Sequence, residues 1–292
     1  MRDYMIVTDA TADLTPEILT ETGVIVMPME VTIGEDNFNH YPDAREMPYN
    51  DFYGRVRAGE PVKTAQIKLA AFYDFFEEIL SGGKDILYLG FSSGLSGTYS
   101  TSVIIANELS EKYPDAKIYT VDTLSASMGE GLLVYYAALE KQKGKNIDEV
   151  REFAEETKLK LCHWFTVDDL NHLRRGGRLS AAVAFAGTLL GIKPILHFDE
   201  EGHLLPVAKS RGRRQSIEAL FKRMEENGVD INGQVIFVAH GDCEQEMNIL
   251  VDMIKAKYSV REIRVGYIGP VIGAHSGPGT IALFFLSENR AI

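Results

Sequence analysis

The chain has 292 residues, which is long enough for two domains or for one large one. Of these, 45% are hydrophobic and 25% charged, the composition of an ordinary globular protein. Its net charge of -12 argues against broad nucleic-acid binding, which needs a basic surface. The two cysteines form no CxxC pair, the first residues lack a signal peptide's apolar core, and no apolar run approaches the ~20 residues of a membrane span. We therefore expect a cytoplasmic location, no stable membrane insertion, and no metal or cofactor.

The first half of the chain alternates short apolar runs with amphipathic segments. The runs at 4–8, 24–27, 86–89 and 118–121 are predicted strands, and helices are predicted at 15–22, 51–57, 70–80, 99–109 and 127–141. Such alternation predicts an α/β fold with a doubly wound parallel sheet flanked by helices. Ligands of these sheets bind at the carboxyl ends of the strands.

A polar break at 141–146 and a further predicted helix at 147–159 separate this half from the next. We place the boundary near residue 160, which gives an N-terminal α/β domain at 1–160 and a C-terminal one at 161–292. In the second half, strands are predicted at 162–166, 204–208, 235–239, 261–265 and 280–286, and helices at 181–190, 216–226 and 244–257. This pattern predicts a smaller α/β layer with a mixed sheet.

A Ser/Gly-rich turn at 92–98 joins a predicted strand to a predicted helix. Free backbone N–H groups and the helix dipole at such a junction favour an anion. No lysine follows, as a phosphate-binding loop requires, and Gly97 comes one position too early after Ser96 for a nucleophile elbow. Ser96 or Thr98 could simply cap the helix, but four hydroxyls and two glycines exceed what capping requires, so we favour an anion-binding turn.

A second candidate is His275, in a stretch at 268–280 that holds four glycines and two prolines and is predicted to be a loop. Glycine lets backbone approach a ligand closely, and proline stiffens the chain. The histidine could donate to a carboxylate, or it could bond to nearby backbone as part of a turn. Composition alone leaves both open.

Basic residues are concentrated at 172–178 and 209–214, which together carry six arginines and one lysine. A charge run is usually a solvated face, yet arginine beside glycine also suits an acidic surface or a phosphate. The apolar segment at 181–192 is either a core helix or the wall of an apolar tunnel. Asp9, Asp13 and Asp122 follow predicted strands, where carboxylates more often brace loops than catalyse.

Six of these segments, in this order, resemble the DegV family of bacterial fatty-acid-binding proteins along nearly the whole chain. They are Val-Thr-Asp-Ala-Thr-Ala-Asp-Leu at 7–14, Ser-Ser-Gly-Leu-Ser-Gly-Thr-Tyr at 92–99, Val-Asp-Thr at 121–123 with Ala-Ser-Met-Gly at 126–129, Leu-Arg-Arg-Gly-Gly-Arg-Leu-Ser at 173–180, Gly-Ile-Lys-Pro at 191–194, and Gly-Pro-Val-Ile-Gly-Ala-His-Ser-Gly-Pro-Gly at 269–279.

The resemblance implies a non-catalytic protein of two α/β domains that binds one long-chain fatty acid in an apolar tunnel between them. The carboxylate would be held by Thr64, Ser96 and His275, and Gly97, Thr98 and Ser93 are further candidates. The resemblance also implies a partner, a separate ATP-dependent fatty acid kinase that makes the acyl phosphate. Its docking surface would include Arg175 and Arg211.

The sequence departs from the family pattern at two loops. The family often has Thr-Ser-Gln-Pro-Ser where this chain has Thr64, Ala65, Gln66, Ile67 and Lys68, so two hydroxyls and the proline are absent. Ala10 also stands where serine is usual. These changes bear on the geometry around the carboxylate.

Two other functions are compatible with the same residues. A hydrolase or phosphotransferase could use Ser96 as nucleophile and His275 as base. A regulatory protein could sense acyl ligands through the same cavity. The failed nucleophile-elbow spacing and the absence of a phosphate-loop lysine favour a carrier.

Overall fold

The computed structural model describes residues 2–179 and 191–290, so the helix predicted at 181–190 lies outside the described residues. Within these ranges the strands are β1 (Tyr4–Asp9), β2 (Ile25–Met27), β3 (Met29–Ile33), β4 (Asp36–His40), β5 (Val62–Thr64), β6 (Asp85–Gly90), β7 (Ile118–Asp122), β8 (Leu161–Thr166), β9 (Ile192–Phe198), β10 (Leu204–Arg211), β11 (Val235–His240), β12 (Glu262–Tyr267) and β13 (Ile281–Leu286).

Apart from α7 and α10, the helices begin and end close to the predicted residues. They are α1 (Pro16–Thr22), α2 (Tyr49–Arg57), α3 (Leu69–Ser81), α4 (Thr98–Lys112), α5 (Ser127–Gln142), α6 (Ile147–Thr157), α7 (Asn171–Arg175), α8 (Arg213–Asn227), α9 (Glu244–Lys257) and α10 (Pro270–Ser276). Among the described residues, none of these helices is long and apolar enough to span a membrane.

The first sheet is parallel, with the strand order β2-β1-β6-β7, and confirms the predicted α/β architecture. Every residue of β6 is buried, because the strand is covered on both faces. Leu87 and Leu89 pack on one side with α1 and α5, whereas Ile86 and Tyr88 pack on the other with α3 and α4. This two-sided packing is why β6 is a continuous apolar run in the sequence.

The second sheet is mixed, as predicted, with the order β10-β9-β8-β13-β11-β12. On β8, Cys162 and Trp164 face α8 and α9, while Leu161 and Phe165 face the helix α5 of the first half. One hydrophobic core therefore runs between the two sheets. The parallel sheet lies wholly before residue 160 and the mixed sheet wholly after it, and the division into two domains stays a prediction.

A third, antiparallel sheet with the order β4-β3-β5 was not predicted from the sequence. Strand β3 nevertheless shows the alternation typical of a strand, because Val31 and Ile33 are buried between exposed or partly buried neighbours. Gly34 follows with φ +57°, as in a hairpin turn. The strand β9 and the short helices α7 and α10 were also not predicted. The third sheet matters for function, since β5 ends at Thr64.

Candidate ligand site between the two sheets

A cavity of about 160 Å³ lies between the parallel and mixed sheets. Its wall is mostly aliphatic and aromatic, with four phenylalanines, Phe91, Phe165, Phe198 and Phe284. The wall residues come from both halves of the chain, from Met29 to Ser127 and from Phe165 to Phe284. An apolar cavity with a few convergent polar groups is the usual form of a small-molecule site.

Polar side chains meet at one part of this wall. Thr64 at the end of β5 and His275 on α10 are joined by a hydrogen bond of 2.8 Å between Thr64 Oγ1 and His275 Nε2. Gln66 lies directly against Gly97, since a Cβ on that glycine would stand 2.3 Å from Gln66 Oε1. The elements that bring these residues together are far apart in sequence, so only the fold assembles them.

Ser96 lies in the turn before α4 and lines the cavity. Its Oγ accepts a hydrogen bond of 3.2 Å from the backbone N–H of Thr98 and lies 3.0 Å from Thr98 Oγ1. Ser96 therefore accepts from the first N–H of α4, although Gly97 is the N-cap residue, and it also lines the cavity. A hydroxyl that accepts at its oxygen can still donate its proton to a ligand.

His275 is on a helix rather than in the predicted loop, and this part of the sequence interpretation was wrong. Pro270 is the first residue of α10, and Gly277 ends it with φ +79°. Proline at the first helical position and glycine just past the last are the ordinary boundaries of a helix. Both boundary residues are visible in the sequence, but the many glycines and prolines of this stretch favour a loop prediction.

The imidazole of His275 is neutral at physiological pH. Burial, with the nearby charge of Arg178, lowers the pKa of His275 to about 4. Its Nδ1 has no hydrogen-bond partner among the described residues and lies against Gly176, where a Cβ would stand 2.2 Å away. A neutral ring can donate from Nε2 to Thr64 Oγ1, which leaves the Thr64 proton free for a ligand.

The other predicted contacts divide into those that reach the cavity and those that do not. Gly97 lines it, whereas Thr98 is fully buried with its hydroxyl next to Ser96. Ser93 is exposed, and its backbone N–H donates to Asp122 Oδ1 at 3.2 Å, so its side chain does not line the cavity. Asp122 braces this loop, as expected.

The two arginines proposed for docking are both exposed. Arg175 lines a surface groove of about 340 Å³ with Asn171, Arg174 and Leu179. The basic segments do not form a single solvated face, because Arg213 lies against Asp168 and Cys243, and Arg178 lines the cavity. Sequence reasoning gave Arg178, Gln66 and Ser276 no site role, although all three line the cavity wall.

The fold and the cavity define an α/β protein with a mostly apolar cavity whose wall also carries polar side chains, among them the hydrogen-bonded pair Thr64 and His275. A family model described as "Uncharacterised protein, DegV family" matches residues 3–288. A DegV domain-containing protein of Clostridium perfringens is 45% identical over 290 residues, which is 99% of each chain. The chain belongs to the DegV family.

Solved structures show the same fold. A structure described as "Fatty Acid Binding of a DegV family Protein from Thermus thermophilus" has a TM-score of 0.88 at 28% identity and covers 98% of this chain and 100% of its own. "DegV, a fatty acid binding protein from Bacillus subtilis" has a TM-score of 0.84 at 30% identity, with 99% and 100% covered. Both relatives are described as binders of fatty acids.

Proposed function

We propose that the protein binds one long-chain fatty acid in the cavity between the sheets, without catalysing a reaction on it. The observation that carries this proposal is the cavity itself, a wall of aliphatic and phenylalanine side chains that also includes Thr64, Ser96 and His275, of which Thr64 and His275 are hydrogen-bonded to each other. A fatty acid has the matching chemistry, a long apolar chain with one polar end. The solved relatives described as fatty-acid-binding support the proposal.

The acyl chain would supply most of the affinity. Transfer of one methylene from water to an apolar site stabilises by ~0.8 kcal/mol, so the chain of a C16–C18 acid contributes roughly 10 kcal/mol before the costs of ordering are counted. The hydroxyl and imidazole groups would then place the carboxylate. In this arrangement Thr64 and Ser96 donate their hydroxyl protons, and His275 orients Thr64 through the 2.8 Å hydrogen bond.

The geometry favours a carrier over a hydrolase or phosphotransferase. A serine nucleophile needs its hydroxyl within reach of a base. In the described part of the chain no hydrogen bond joins Ser96 to His275, since Ser96 bonds to Thr98 and His275 bonds to Thr64. Burial also keeps the His275 pKa at about 4, which makes the imidazole a weak base.

A direct test is organic extraction of the purified protein followed by mass spectrometry. We expect one fatty acid per chain, and rebinding of palmitate after delipidation. A protein that carries no fatty acid, rebinds none, and instead turns over an ester or phosphate substrate would refute the proposal.

We further propose that the bound acid is presented, in the cytoplasm, to a separate ATP-dependent fatty acid kinase that forms the acyl phosphate. The exposed Arg175 and Arg211 are the candidate docking residues. Acyl phosphate formation by a purified fatty acid kinase should fall strongly for Arg175→Ala/Arg211→Ala, while palmitate binding is unchanged. Lys222→Ala, an exposed cation on α8, is the control.

The same assay tests the assignment of the carboxylate site. Palmitate bound to a Ser96→Ala/His275→Ala double variant should be phosphorylated more slowly, because its carboxylate is no longer held in place. Acyl phosphate formation by this variant at the wild-type rate would show that the site is wrongly assigned.

A further inference from the structure

Arg290 follows β13 and is a buried arginine whose donors all meet oxygen atoms of the protein. Only 2% of the residue is exposed. A guanidinium carries five N–H groups, and each forms a hydrogen bond here. The acceptors are the backbone oxygens of Leu124 at 2.7 Å, Lys158 at 2.6 Å, Leu161 at 3.0 Å and Asp199 at 3.1 Å, and the hydroxyl oxygen of Ser125 at 3.2 Å. Arg290 therefore fixes several segments of the chain relative to one another.

Arg290 acts on the backbone and has no direct part in ligand binding. None of its acceptors is a carboxylate, and it is not among the residues that line the cavity. Burial lowers the pKa of Arg290 to about 10, so the guanidinium is still charged at pH 7. Hydrogen bonds from a charged donor are roughly twice as strong as those between neutral groups. The segments that meet at this side chain are therefore strongly tied.

Two of these segments come from different sheets, and both contribute to the cavity wall. The loop 123–126 follows β7 of the parallel sheet, and its last residue lines the cavity. The hairpin turn 199–203 joins β9 and β10 of the mixed sheet, and the residues on either side of it, Phe198 and Leu204, line the cavity too. Arg290 therefore connects the two sheets beside the ligand site.

A second contact fastens the same hairpin turn to the parallel sheet. Ser92, in the turn before α4, donates from its Oγ to the backbone oxygen of Gly202 at 2.9 Å. Its backbone N–H donates to the backbone oxygen of Ser125 at 3.0 Å. The hairpin turn is thus held at two points, directly by Ser92 and through Arg290 to the loop 123–126.

The mixed sheet itself holds this hairpin over a short length. Strand β10 lies at the edge of the sheet, and β9 pairs with β8 at two positions, Leu196 with Phe165 and Ile195 with Thr166. By contrast, β13 pairs with β8 at six positions. The hairpin turn extends past the paired residues of β9, so its position depends on what its end contacts. Segments with few such ties open more readily than the core of a sheet.

We propose that Arg290 is a positioning residue that latches the hairpin turn 199–203 over the cavity, and that fatty acid enters and leaves when this latch opens. The inference rests on the proposed function and adds the route of ligand exchange to it. A ligand buried between two sheets exchanges through a movement of the wall. The hairpin turn suits this movement, because it carries Phe198 and Leu204 of the wall and its ties to the parallel sheet are hydrogen bonds that re-form on closing.

The first experiment measures palmitate exchange by stopped flow. Delipidated protein mixed with palmitate gives the association rate, and loaded protein mixed with excess delipidated albumin gives the dissociation rate. Arg290→Gln should raise both rates by about tenfold or more, because several hydrogen bonds of the latch are lost. The Kd should change by less than about threefold, since the latch closes over the cavity with or without ligand.

Two milder variants test the same latch. Arg290→Lys keeps the charge but carries its three donors on one nitrogen, so both rates should rise less than in Arg290→Gln. Ser92→Ala removes one hydrogen bond to the hairpin turn, and both rates should rise by about threefold to fivefold. These variants decide the question by the same comparison if Arg290→Gln does not fold.

A variant of reduced stability away from the cavity is the control. Leu250 on α9 is fully buried in the core on the other face of the mixed sheet, so Leu250→Ala should destabilise the fold without touching the hairpin turn. Urea unfolding measures the stability of every variant, and the exchange rates of Leu250→Ala should stay within about twofold of wild type. Amide hydrogen exchange in residues 199–204 should be faster in Arg290→Gln than in Leu250→Ala.

The outcomes separate the inference from the function beneath it. Exchange rates of the Arg290 and Ser92 variants equal to wild type, or raised no more than in Leu250→Ala, would overturn the inference and leave fatty acid binding intact. Faster dissociation without faster association would also overturn it, because Arg290 would then stabilise the loaded cavity without gating entry. A wild type that bound no palmitate would refute the proposed function itself.

Discussion

Two polar turns follow neighbouring strands of the parallel sheet, and their side chains have different surroundings. The turn after β1, residues 9–13, and the turn after β6, residues 91–98, both lie at the carboxyl edge of the sheet, where ligands of such folds bind. The first turn has one hydroxyl and two alanines between Asp9 and Asp13, and the second has four hydroxyls and two glycines. Only the turn after β6, with Phe91, Leu95, Ser96 and Gly97, lines the cavity.

The polar groups of the β1 turn form hydrogen bonds with other buried groups of the protein. The Asp9 carboxylate accepts from Thr11 N–H at 3.0 Å, Thr11 Oγ1 at 2.5 Å, Tyr88 OH at 2.6 Å and Phe91 N–H at 3.3 Å. Glu130 on α5 lies 2.8 Å from Thr11 Oγ1, and burial raises its pKa well above the usual range. In the β6 turn, Ser96 is only partly buried and faces the cavity. The two turns therefore differ in what their polar groups face: those of the β1 turn bond to other buried groups away from the cavity, whereas Ser96 lines the cavity.

The largest expected effect comes from removing the Asp9 carboxylate, which joins the β1 turn to Tyr88 and Phe91. Asp9→Ala removes the acceptor of four donors in a fully buried place. Thr11 Oγ1 keeps Glu130 as a second acceptor, so three donors are left unpaired, and each such group costs about 1–3 kcal/mol. We expect a loss of roughly 3–5 kcal/mol in the free energy of unfolding, measured with urea. Asp43→Ala, at an exposed carboxylate, is the control and should change little. A loss below about 1 kcal/mol for Asp9→Ala would contradict the assignment.

The second effect concerns Asp13, whose Oδ1 accepts from Gly269 N–H at 3.0 Å and whose Oδ2 accepts from Ser127 Oγ at 2.5 Å. Burial raises the pKa of Asp13 to about 8, so the folded protein keeps a proton between about pH 4 and 8 that the unfolded chain releases. The contribution of Asp13 to the free energy of unfolding therefore falls as the pH rises through that window, by up to ~1.4 kcal/mol per pH unit.

Asp13→Asn removes this titration and nearly preserves the shape of the protonated acid. Urea unfolding at several pH values between 5 and 8 should show the variant gaining stability relative to wild type as the pH rises. The buried histidines, His40 with a pKa of about 3 and His275 with about 4, act with the opposite sign below about pH 6.5 but occur in both proteins. Parallel curves would mean that Asp13 is ionised in the fold.

The third effect should appear in binding and leave the fold nearly unchanged. Ser96→Ala removes a donor to the proposed carboxylate, and a hydrogen bond to a charged group contributes about 1.5–3 kcal/mol, so palmitate affinity should fall by about tenfold or more. Ser93→Ala, in the same turn but exposed and outside the cavity, is the matched control. Equal palmitate affinities for the two variants would remove Ser96 from the site.

The sequence predicted the α/β architecture better than it predicted the residues of the candidate site. Parallel strands such as β6 are buried on both faces and so stand out as apolar runs, which is why the α/β architecture was predicted. The third sheet was not predicted because its strands are short and half-exposed. For the same reason, the sequence did not show that Thr64 lies at the end of a strand. Arg178 was grouped with its exposed neighbours because a charge run does not show which member turns inward.

The smallest expected effect tests whether palmitate affinity depends on the position of the His275 ring. Gly176 has φ -72° and ψ -9°, which alanine adopts freely, yet its Cβ would stand 2.2 Å from His275 Nδ1. Gly176→Ala must therefore move the ring and weaken its hydrogen bond to Thr64, which we expect to lower palmitate affinity by about fivefold or less. Gly177→Ala is the matched control, because φ is +70° there but nothing lies within 4 Å of its Cβ. That variant should lose about 1 kcal/mol of stability and keep its affinity, so a binding loss in both variants would point to backbone strain instead of the imidazole.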